Sequence, residues 1–124
     1  KILSKNFVRN FKGKIINIHP SLLPKYKGLS AFKRALNAWE KITGCTVHFV
    51  DEKLDSGKMI VKKKVLINKS DDHQQLKRKV QSEEYKAYSI AIRKIYNQTN
   101  FWKKNLFLFL HYQVSLIHEL SFCL

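Results

Sequence analysis

The sequence has 124 residues, of which 44% are hydrophobic and 27% are charged. That composition indicates one globular domain and excludes a disordered chain. The formal net charge is +15, and lysine rather than arginine supplies most of it. Proteins that read bases favour the forked guanidinium of arginine, so this charge favours anionic small molecules and no nucleic-acid partner is expected.

The two cysteines, Cys45 and Cys123, lie far apart and form no CxxC pair. They predict neither a zinc site nor a disulfide framework, which favours a cytoplasmic protein with reduced thiols. The sequence opens at Lys1 without a signal peptide, which suggests an N-terminal truncation.

The first predicted element is a short helix that Ser4 caps and Gly13 ends. The β-branched run that follows predicts a buried strand over residues 14–19. Pro20 and Pro24 exclude regular structure from the next segment, which is therefore predicted to be a loop.

A helix is expected over residues 30–41, and residues 43–44 are expected to turn the chain. Two strands follow, over residues 45–50 and 59–67, with a polar turn between them. In the helix predicted over residues 30–41, the inward stripe would consist of Phe32, Ala35, Leu36 and Trp39.

The last predicted helix begins after the capping segment 70–72 and ends near Tyr96. Its apolar stripe would be Leu76, Val80, Ala87, Ala91 and Ile95. Glu84 falls on this stripe, although buried carboxylates are rare unless they are paired. The order of strands and helices predicts an α/β domain over residues 1–97. Residues 98–124 are expected to form an apolar and basic tail outside this domain. The tail is too short and too polar for a membrane span, so no membrane partner is expected.

The first candidate site lies at the end of the predicted strand 14–19. Asn17 and His19 should point to one face there, because alternate residues of a strand share a face. Open α/β sheets bind ligands at the C-terminal ends of their strands. An amide that stabilises an oxyanion beside an imidazole that moves a proton suits acyl transfer. The alternative is that both side chains only satisfy loop backbone groups.

Three more residues are candidates. Asp55 could orient His19 or accept a proton, or it could be an ordinary turn residue. His48 is either a core histidine or a member of the same site, and Glu84 either faces a ligand or lies where the apolar stripe opens to solvent.

We expect Asp55 to meet His19 because the strands ending at His19 and Val50 would open on the same edge of the sheet. The imidazole and the carboxylate should then lie roughly 3–6 Å apart.

Three linked motifs carry a resemblance to a known family. They are HPSLLP at residues 19–24 followed by Gly28-Leu29, GCTVHFV at 44–50, and LDSG at 54–57. The motifs resemble those of the phosphoribosylglycinamide formyltransferases within the formyltransferase family. The resemblance implies that residues 1–97 are the C-terminal half of a formyltransferase domain. Its fold would be part of a Rossmann-like α/β sheet flanked by helices, with the N-terminal half missing.

The resemblance also implies a reaction. A formyl group would pass from 10-formyltetrahydrofolate, the co-substrate, to the amine of glycinamide ribonucleotide in purine biosynthesis, without a metal. Because the family's phosphate loop would be missing, this fragment is expected to be inactive alone.

By resemblance, Asn17 would hold the oxyanion, His19 would stabilise it and assist proton transfer, and Asp55 would keep His19 charged and relay the proton. The positions implied for folate are Lys1, Leu3, Val50, Asp51 and Asp55. Those implied for the acceptor substrate are Ile18, Pro20 and Glu84. His48 and Ser21 would have supporting roles.

Two related enzyme classes remain as alternatives. Formyltetrahydrofolate deformylases usually carry a second histidine where Pro20 stands. Methionyl-tRNA formyltransferases usually show Gly-Ala where Gly28-Leu29 stands, and they lack His48. A non-catalytic basic module that binds RNA or phosphate is the alternative from a different class. The oligomeric state stays open.

Overall fold

The computed structural model describes residues 3–98. Its elements in chain order are α1 (Lys5–Asn10), β1 (Ile16–His19), α2 (Ala31–Asn37), β2 (Ile42–Phe49), β3 (Met59–Leu66) and α3 (His73–Gln98). The predicted α/β fold is confirmed. The predicted tail over 98–124 lies outside the described residues except for Gln98.

A boundary between two compact units falls after Ala91, inside α3. All the site residues discussed below belong to the first unit. Among residues 3–98, no helix is long and apolar enough to cross a membrane.

The strands form one sheet in the order β1-β2-β3, and both pairings are antiparallel. β2 is the central strand, and it is buried from Thr43 to His48. A strand with neighbours on both sides and cover on both faces requires apolar or fully hydrogen-bonded side chains along its whole length.

The helix termini follow the expected capping chemistry. The Ser4 hydroxyl accepts a hydrogen bond from the Phe7 N–H at 3.2 Å, which starts α1 as predicted. At the start of α3, the Asp72 carboxylate accepts from the Gln75 N–H at 2.7 Å, and the Gln75 side-chain oxygen accepts from the Asp72 N–H at 2.9 Å. This reciprocal pair is a capping box.

Two local predictions are wrong. Residues 43–44 do not turn the chain but lie within β2. A Cβ at Gly44 would overlap the carbonyl oxygen of Lys63 on β3, so the glycine permits close strand approach rather than a turn. Trp39 does not face inward, because α2 ends at Asn37 and the indole is 90% exposed.

The predicted apolar stripe of α3 is largely confirmed, since Leu76, Val80, Ala87 and Ala91 are buried. Cys45 of β2 is buried close to the carboxylates of Glu83 and Glu84 on this helix. Burial, and secondarily those two carboxylates, raises the pKa of the Cys45 thiol to about 12. The thiol is therefore protonated at neutral pH and unreactive as a nucleophile.

Candidate functional site

The sheet register places the first two candidate residues on one face. Asn17 of β1 stands opposite His48 of β2, and His19 stands opposite Thr46. Directly opposed residues of an antiparallel pair share a face, and residues two apart on a strand do so as well. Asn17, His19, Thr46 and His48 therefore lie on the same side of the sheet, as the sequence predicted for Asn17 and His19.

The expectation that Asp55 meets His19 at an edge shared by the C-terminal ends of two strands was wrong in one respect. β1 and β2 run antiparallel, so their C-terminal ends open at opposite ends of the strand pair rather than at one common edge. Asp55 reaches His19 because the segment after β2 folds back across the face of the sheet. Gly57 ends that segment against the Phe49 carbonyl, where a side chain would overlap the backbone.

Asp55 is buried in this turn with a backbone φ of 47°, in the left-handed region that aspartate tolerates better than most residues. Its Oδ2 accepts a hydrogen bond from the Gly28 N–H at 2.8 Å. The same oxygen lies 3.3 Å from Nδ1 of His19. The predicted approach of His19 and Asp55 is thus confirmed.

The two rings of the cluster have different partners. His19 Nε2 lies 2.8 Å from the carbonyl oxygen of Tyr26, which can only accept, so Nε2 carries a proton. His48 Nδ1 donates in the same way to the Phe49 carbonyl at 2.8 Å. Nε2 of His48 lies 3.4 Å from Asn17 Nδ2 and 3.7 Å from Asp55 Oδ1. His48 is therefore in contact with both neighbouring candidates.

The cluster is desolvated except at Asn17. The His19 and Asp55 side chains are 6% and 8% exposed, whereas Asn17 is an exposed residue. Low local dielectric strengthens the interaction between an imidazole and a carboxylate. An accessible amide donor beside a buried pair that can hold a proton is able to assist acyl transfer to an incoming nucleophile.

The remaining predicted positions are more dispersed. Ile18 and Pro20 flank His19 and are half-buried, and Val50 is half-buried with its N–H donating to the Ile15 carbonyl at 2.9 Å. Asp51 is exposed, and its Oδ1 accepts from the Lys53 N–H at 3.0 Å. Leu3 is 38% exposed, and Lys1 lies outside the described residues. The Ser21 hydroxyl donates to the Lys25 carbonyl at 2.6 Å and shapes the loop.

Glu84 is not joined to this cluster. It is half-buried on α3, and burial raises the pKa of its carboxyl group above the ordinary 4.5. Within residues 3–98, no side chain donates a hydrogen bond to it or forms a salt bridge with it. Its predicted role at the acceptor substrate therefore stays a prediction.

Three contributors to the cluster were not predicted as site residues. Tyr26 contributes a carbonyl oxygen, Gly28 contributes an N–H, and Thr46 stands opposite His19. Backbone groups leave no side-chain pattern in a sequence. Thr46 could have been identified only from its two-residue spacing to His48 together with the strand register.

An open cleft lies apart from the cluster. It has a volume of about 540 Å³ and is lined by residues of β3 and α3 that include Lys64, Leu66, Lys79 and Glu83. None of its lining residues was predicted as a site residue. In the described part of the chain, no group of three or more histidine, cysteine or acidic residues is arranged to hold a metal ion.

Comparison with known proteins identifies the family of the chain. Residues 1–92 match the formyl transferase family. The phosphoribosylglycinamide formyltransferase of Haemophilus influenzae is 43% identical over 93 residues, which are 75% of this chain and 44% of that protein. The trifunctional purine biosynthetic protein adenosine-3 of Drosophila melanogaster is 48% identical over 99 residues, 80% of this chain and 7% of that protein.

The fold shows the same relationship. The crystal structure of phosphoribosylglycinamide formyltransferase from Anaplasma phagocytophilum superimposes with a TM-score of 0.77 at 39% identity, covering 78% of this chain and 48% of that one. The chain thus spans at most about half the length of these relatives. The match over residues 1–92, more than half of the chain, shows that it belongs to the formyl transferase family.

Proposed function

We propose that the protein transfers the formyl group of 10-formyltetrahydrofolate to the amine of glycinamide ribonucleotide, as part of de novo purine biosynthesis. The observation that carries the proposal is the buried pair of His19 Nδ1 and Asp55 Oδ2, 3.3 Å apart, with Asn17 on the same face in a formyl transferase chain. Two of its relatives bear the name phosphoribosylglycinamide formyltransferase.

In the first step, the amine nitrogen attacks the formyl carbon and a new C–N bond forms. The carbonyl π electrons move to the oxygen, which becomes an oxyanion. Asn17 has two N–H donors on one amide nitrogen; one can stay directed at His48 Nε2 while the other meets this oxyanion. An oxyanion donor of this kind contributes a factor of about 10²–10³ to the rate.

In the second step, the bond between the formyl carbon and folate N10 breaks, and the oxyanion returns to a carbonyl. The amine loses one proton and N10 gains one. We assign the handling of this proton to His19 and Asp55, directly or through water, with a contribution on the order of 10²–10⁴. Asp55 is held for this by the Gly28 N–H, which fixes the carboxylate beside the ring.

The binding roles follow the family positions. Lys1, Leu3, Val50 and Asp51, together with Asp55, would line the folate pocket. Ile18 and Pro20 beside His19 would contact glycinamide ribonucleotide. Glu84 would offer this substrate a half-buried carboxylate that no described protein group occupies, so that a donor on the substrate would relieve part of the desolvation that raises its pKa.

The alternatives have separate signatures. A deformylase would release formate without an amine acceptor, and a methionyl-tRNA formyltransferase would accept charged tRNA. A basic RNA- or phosphate-binding module would show binding that weakens steeply with salt and no turnover. The buried His19–Asp55 pair favours an enzyme, because simple phosphate binding requires no desolvated acid–base pair. A metal-free, cytoplasmic enzyme is part of the proposal.

The test uses a chimera in which residues 1–92 replace the matching stretch of the Haemophilus influenzae relative, because the chain covers only 44% of that protein. Turnover is measured as tetrahydrofolate formed with glycinamide ribonucleotide present, with formate assayed in parallel. We expect acceptor-dependent transfer by the chimera and no measurable transfer by the 124-residue chain alone. A correctly folded chimera that lacks transfer, or that releases formate without the acceptor, would overturn the proposal.

A further inference from the structure

Three residues form a row across the sheet. His19 of β1 is paired with Thr46 of β2, and Thr46 is paired with Lys62 of β3. Opposed residues of antiparallel strands share a face, so all three side chains stand on the face that carries the site. Thr46 is fully buried, whereas Lys62 is exposed.

The loop over residues 20–28 follows His19, passes back over this row and forms hydrogen bonds with it. The Thr46 hydroxyl donates to the Ser21 carbonyl at 2.7 Å and accepts from the Leu23 N–H at 3.1 Å. The Lys62 ammonium donates to the Leu23 carbonyl at 2.6 Å. Both backbone polar groups of Leu23 are therefore satisfied by side chains of the row.

The fastening continues to the ring of His19. The Ser21 hydroxyl donates to the Lys25 carbonyl at 2.6 Å, and the carbonyl of the next residue, Tyr26, accepts the Nε2 proton of His19 at 2.8 Å. Hydrogen bonds joined by the covalent backbone of the loop thus lead from Thr46 back to His19, the residue that Thr46 faces. Nothing in this series involves Asp55 or a ligand.

We propose that Thr46 and Lys62 are positioning residues that fix the orientation of the His19 ring. By holding the loop, they place the Tyr26 carbonyl so that the proton stays on Nε2 and Nδ1 is directed to Asp55. The proposal rests on the proposed function for its role in catalysis, because proton transfer depends on which nitrogen faces the carboxylate. The arrangement of the ring can be measured without any turnover.

The experiment uses the full chain labelled with ¹⁵N in its five histidines. Long-range ¹H–¹⁵N spectra distinguish Nε2–H from Nδ1–H, and the His19 signals are assigned by their loss in His19→Gln. In the unsubstituted chain we expect an Nε2-bound proton on His19 that exchanges slowly with solvent. Folding of each variant is checked by circular dichroism and thermal unfolding.

Thr46→Val removes the hydroxyl at nearly constant volume, and Thr46→Ser restores it. We expect Thr46→Val to accelerate exchange of the His19 Nε2 proton on the order of tenfold, because the loop opens more often once the hydrogen bonds are lost. Thr46→Ser should return the rate to that of the unsubstituted chain. A folded Thr46→Val chain that keeps the slowly exchanging Nε2 proton would overturn the proposal.

Two further variants decide the matter if Thr46→Val fails to fold. Lys62→Met should accelerate exchange, whereas Lys64→Met, on the same face of β3 and without a side-chain hydrogen bond in residues 3–98, should leave it unchanged. Equal exchange rates in these two variants would overturn the proposal.

Tyr26 is also tied to Glu40 through its hydroxyl at 2.9 Å. Tyr26→Phe removes that bond and keeps the carbonyl, so we expect a smaller effect than for Thr46→Val. If Tyr26→Phe accelerates exchange and neither Thr46→Val nor Lys62→Met does so, the loop is held from Glu40 and the proposal is wrong.

Discussion

Asp55 and Glu84 are two buried or half-buried carboxylates that the sequence singled out, and they have opposite surroundings. Asp55 accepts from the Gly28 N–H and lies beside the rings of His19 and His48. Glu84 has no hydrogen-bonding or charged partner among the described residues, and burial raises its pKa. One carboxylate is supplied with protein donors in advance, and the other is not.

The difference separates two tasks. A group that handles protons must be held in place before the substrate arrives, because reorganisation during the reaction lowers the rate. A group that recognises a substrate can remain without a partner, because the substrate then supplies the missing donor. This difference fits the roles proposed for the two residues, catalysis at Asp55 and recognition of the acceptor substrate at Glu84.

The largest effect should follow from replacing Asp55 in the active chimera. Asp55→Asn keeps the size of the side chain and removes its capacity to take up a proton. We expect kcat to fall by a factor on the order of 10²–10⁴, with KM values changed only severalfold. Steady-state kinetics check this expectation.

Glu52→Gln is the matched control for Asp55→Asn. Glu52 lies in the same segment and is exposed, and among residues 3–98 its carboxylate pairs only with Arg9, at 3.2 Å. The Glu52→Gln substitution should leave both kcat and KM unchanged. A loss in Asp55→Asn that appears entirely in KM would assign Asp55 to binding rather than to proton transfer.

The second effect concerns the turn that presents Asp55. Gly57→Ala would place a Cβ against the backbone carbonyl of Phe49, so the turn must shift. We expect a loss of about 1–3 kcal/mol in the free energy of unfolding, measured by urea denaturation of the full chain. Ser56→Ala, next to it, removes only contacts of 3.4 Å and should cost less. Equal stability of Gly57→Ala and the unsubstituted chain would show that this close approach does not hold the turn.

The third effect is smaller and depends on pH. Burial raises the folded-state pKa of Glu84 above its ordinary 4.5, so its contribution to stability is fully present below pH 4.5 and is lost as the pH rises through the folded-state pKa. Glu84→Gln removes the charge that is unfavourable at neutral pH. We expect its Tm to exceed that of the unsubstituted chain at neutral pH and to equal it below pH 4.5.

The smallest effect is expected for Glu83→Gln, and its change in Tm should have the opposite sign to that of Glu84→Gln. A hydrogen bond from Lys86 lowers the pKa of Glu83, so its contribution is present above the ordinary pKa and is lost as the pH falls. We expect a slight decrease in Tm at neutral pH, measured by the same thermal scans. If Tm rises for both glutamate variants, the stabilisation comes from removing the repulsion between the neighbouring carboxylates of Glu83 and Glu84, and not from the burial of Glu84.

The sequence predicted the order of the helices and strands and brought Asn17, His19 and Asp55 together as candidates, whereas the end of α2 and the turn at residues 43–44 were predicted wrongly. Helix capping at Ser4 and Asp72 and the apolar stripe of α3 depend on neighbouring residues, so local patterns predict them. Strand direction and register depend on contacts far apart in the chain. The antiparallel pairing of β1 with β2, and the place of Gly44 inside a strand, could not be obtained from local pattern alone.

The same reason explains what was missed at the site. Asn17, His19 and Asp55 carry recognisable side-chain chemistry, whereas Tyr26 and Gly28 act through backbone groups that every residue possesses. Their positions follow from the fold of the loop, which is fastened by partners 23 to 39 residues away in the chain.

The central claim is that His19 and Asp55 act as one proton-handling unit, and a double-mutant cycle in the active chimera tests it most directly. His19→Gln, Asp55→Asn and the double variant are compared by kcat/KM for formyl transfer. Residues that act as a unit are strongly non-additive, so the double variant should lose about as much activity as the more damaging single variant. If the two losses instead multiply, His19 and Asp55 act independently, and the shared role assigned to the 3.3 Å pair is wrong.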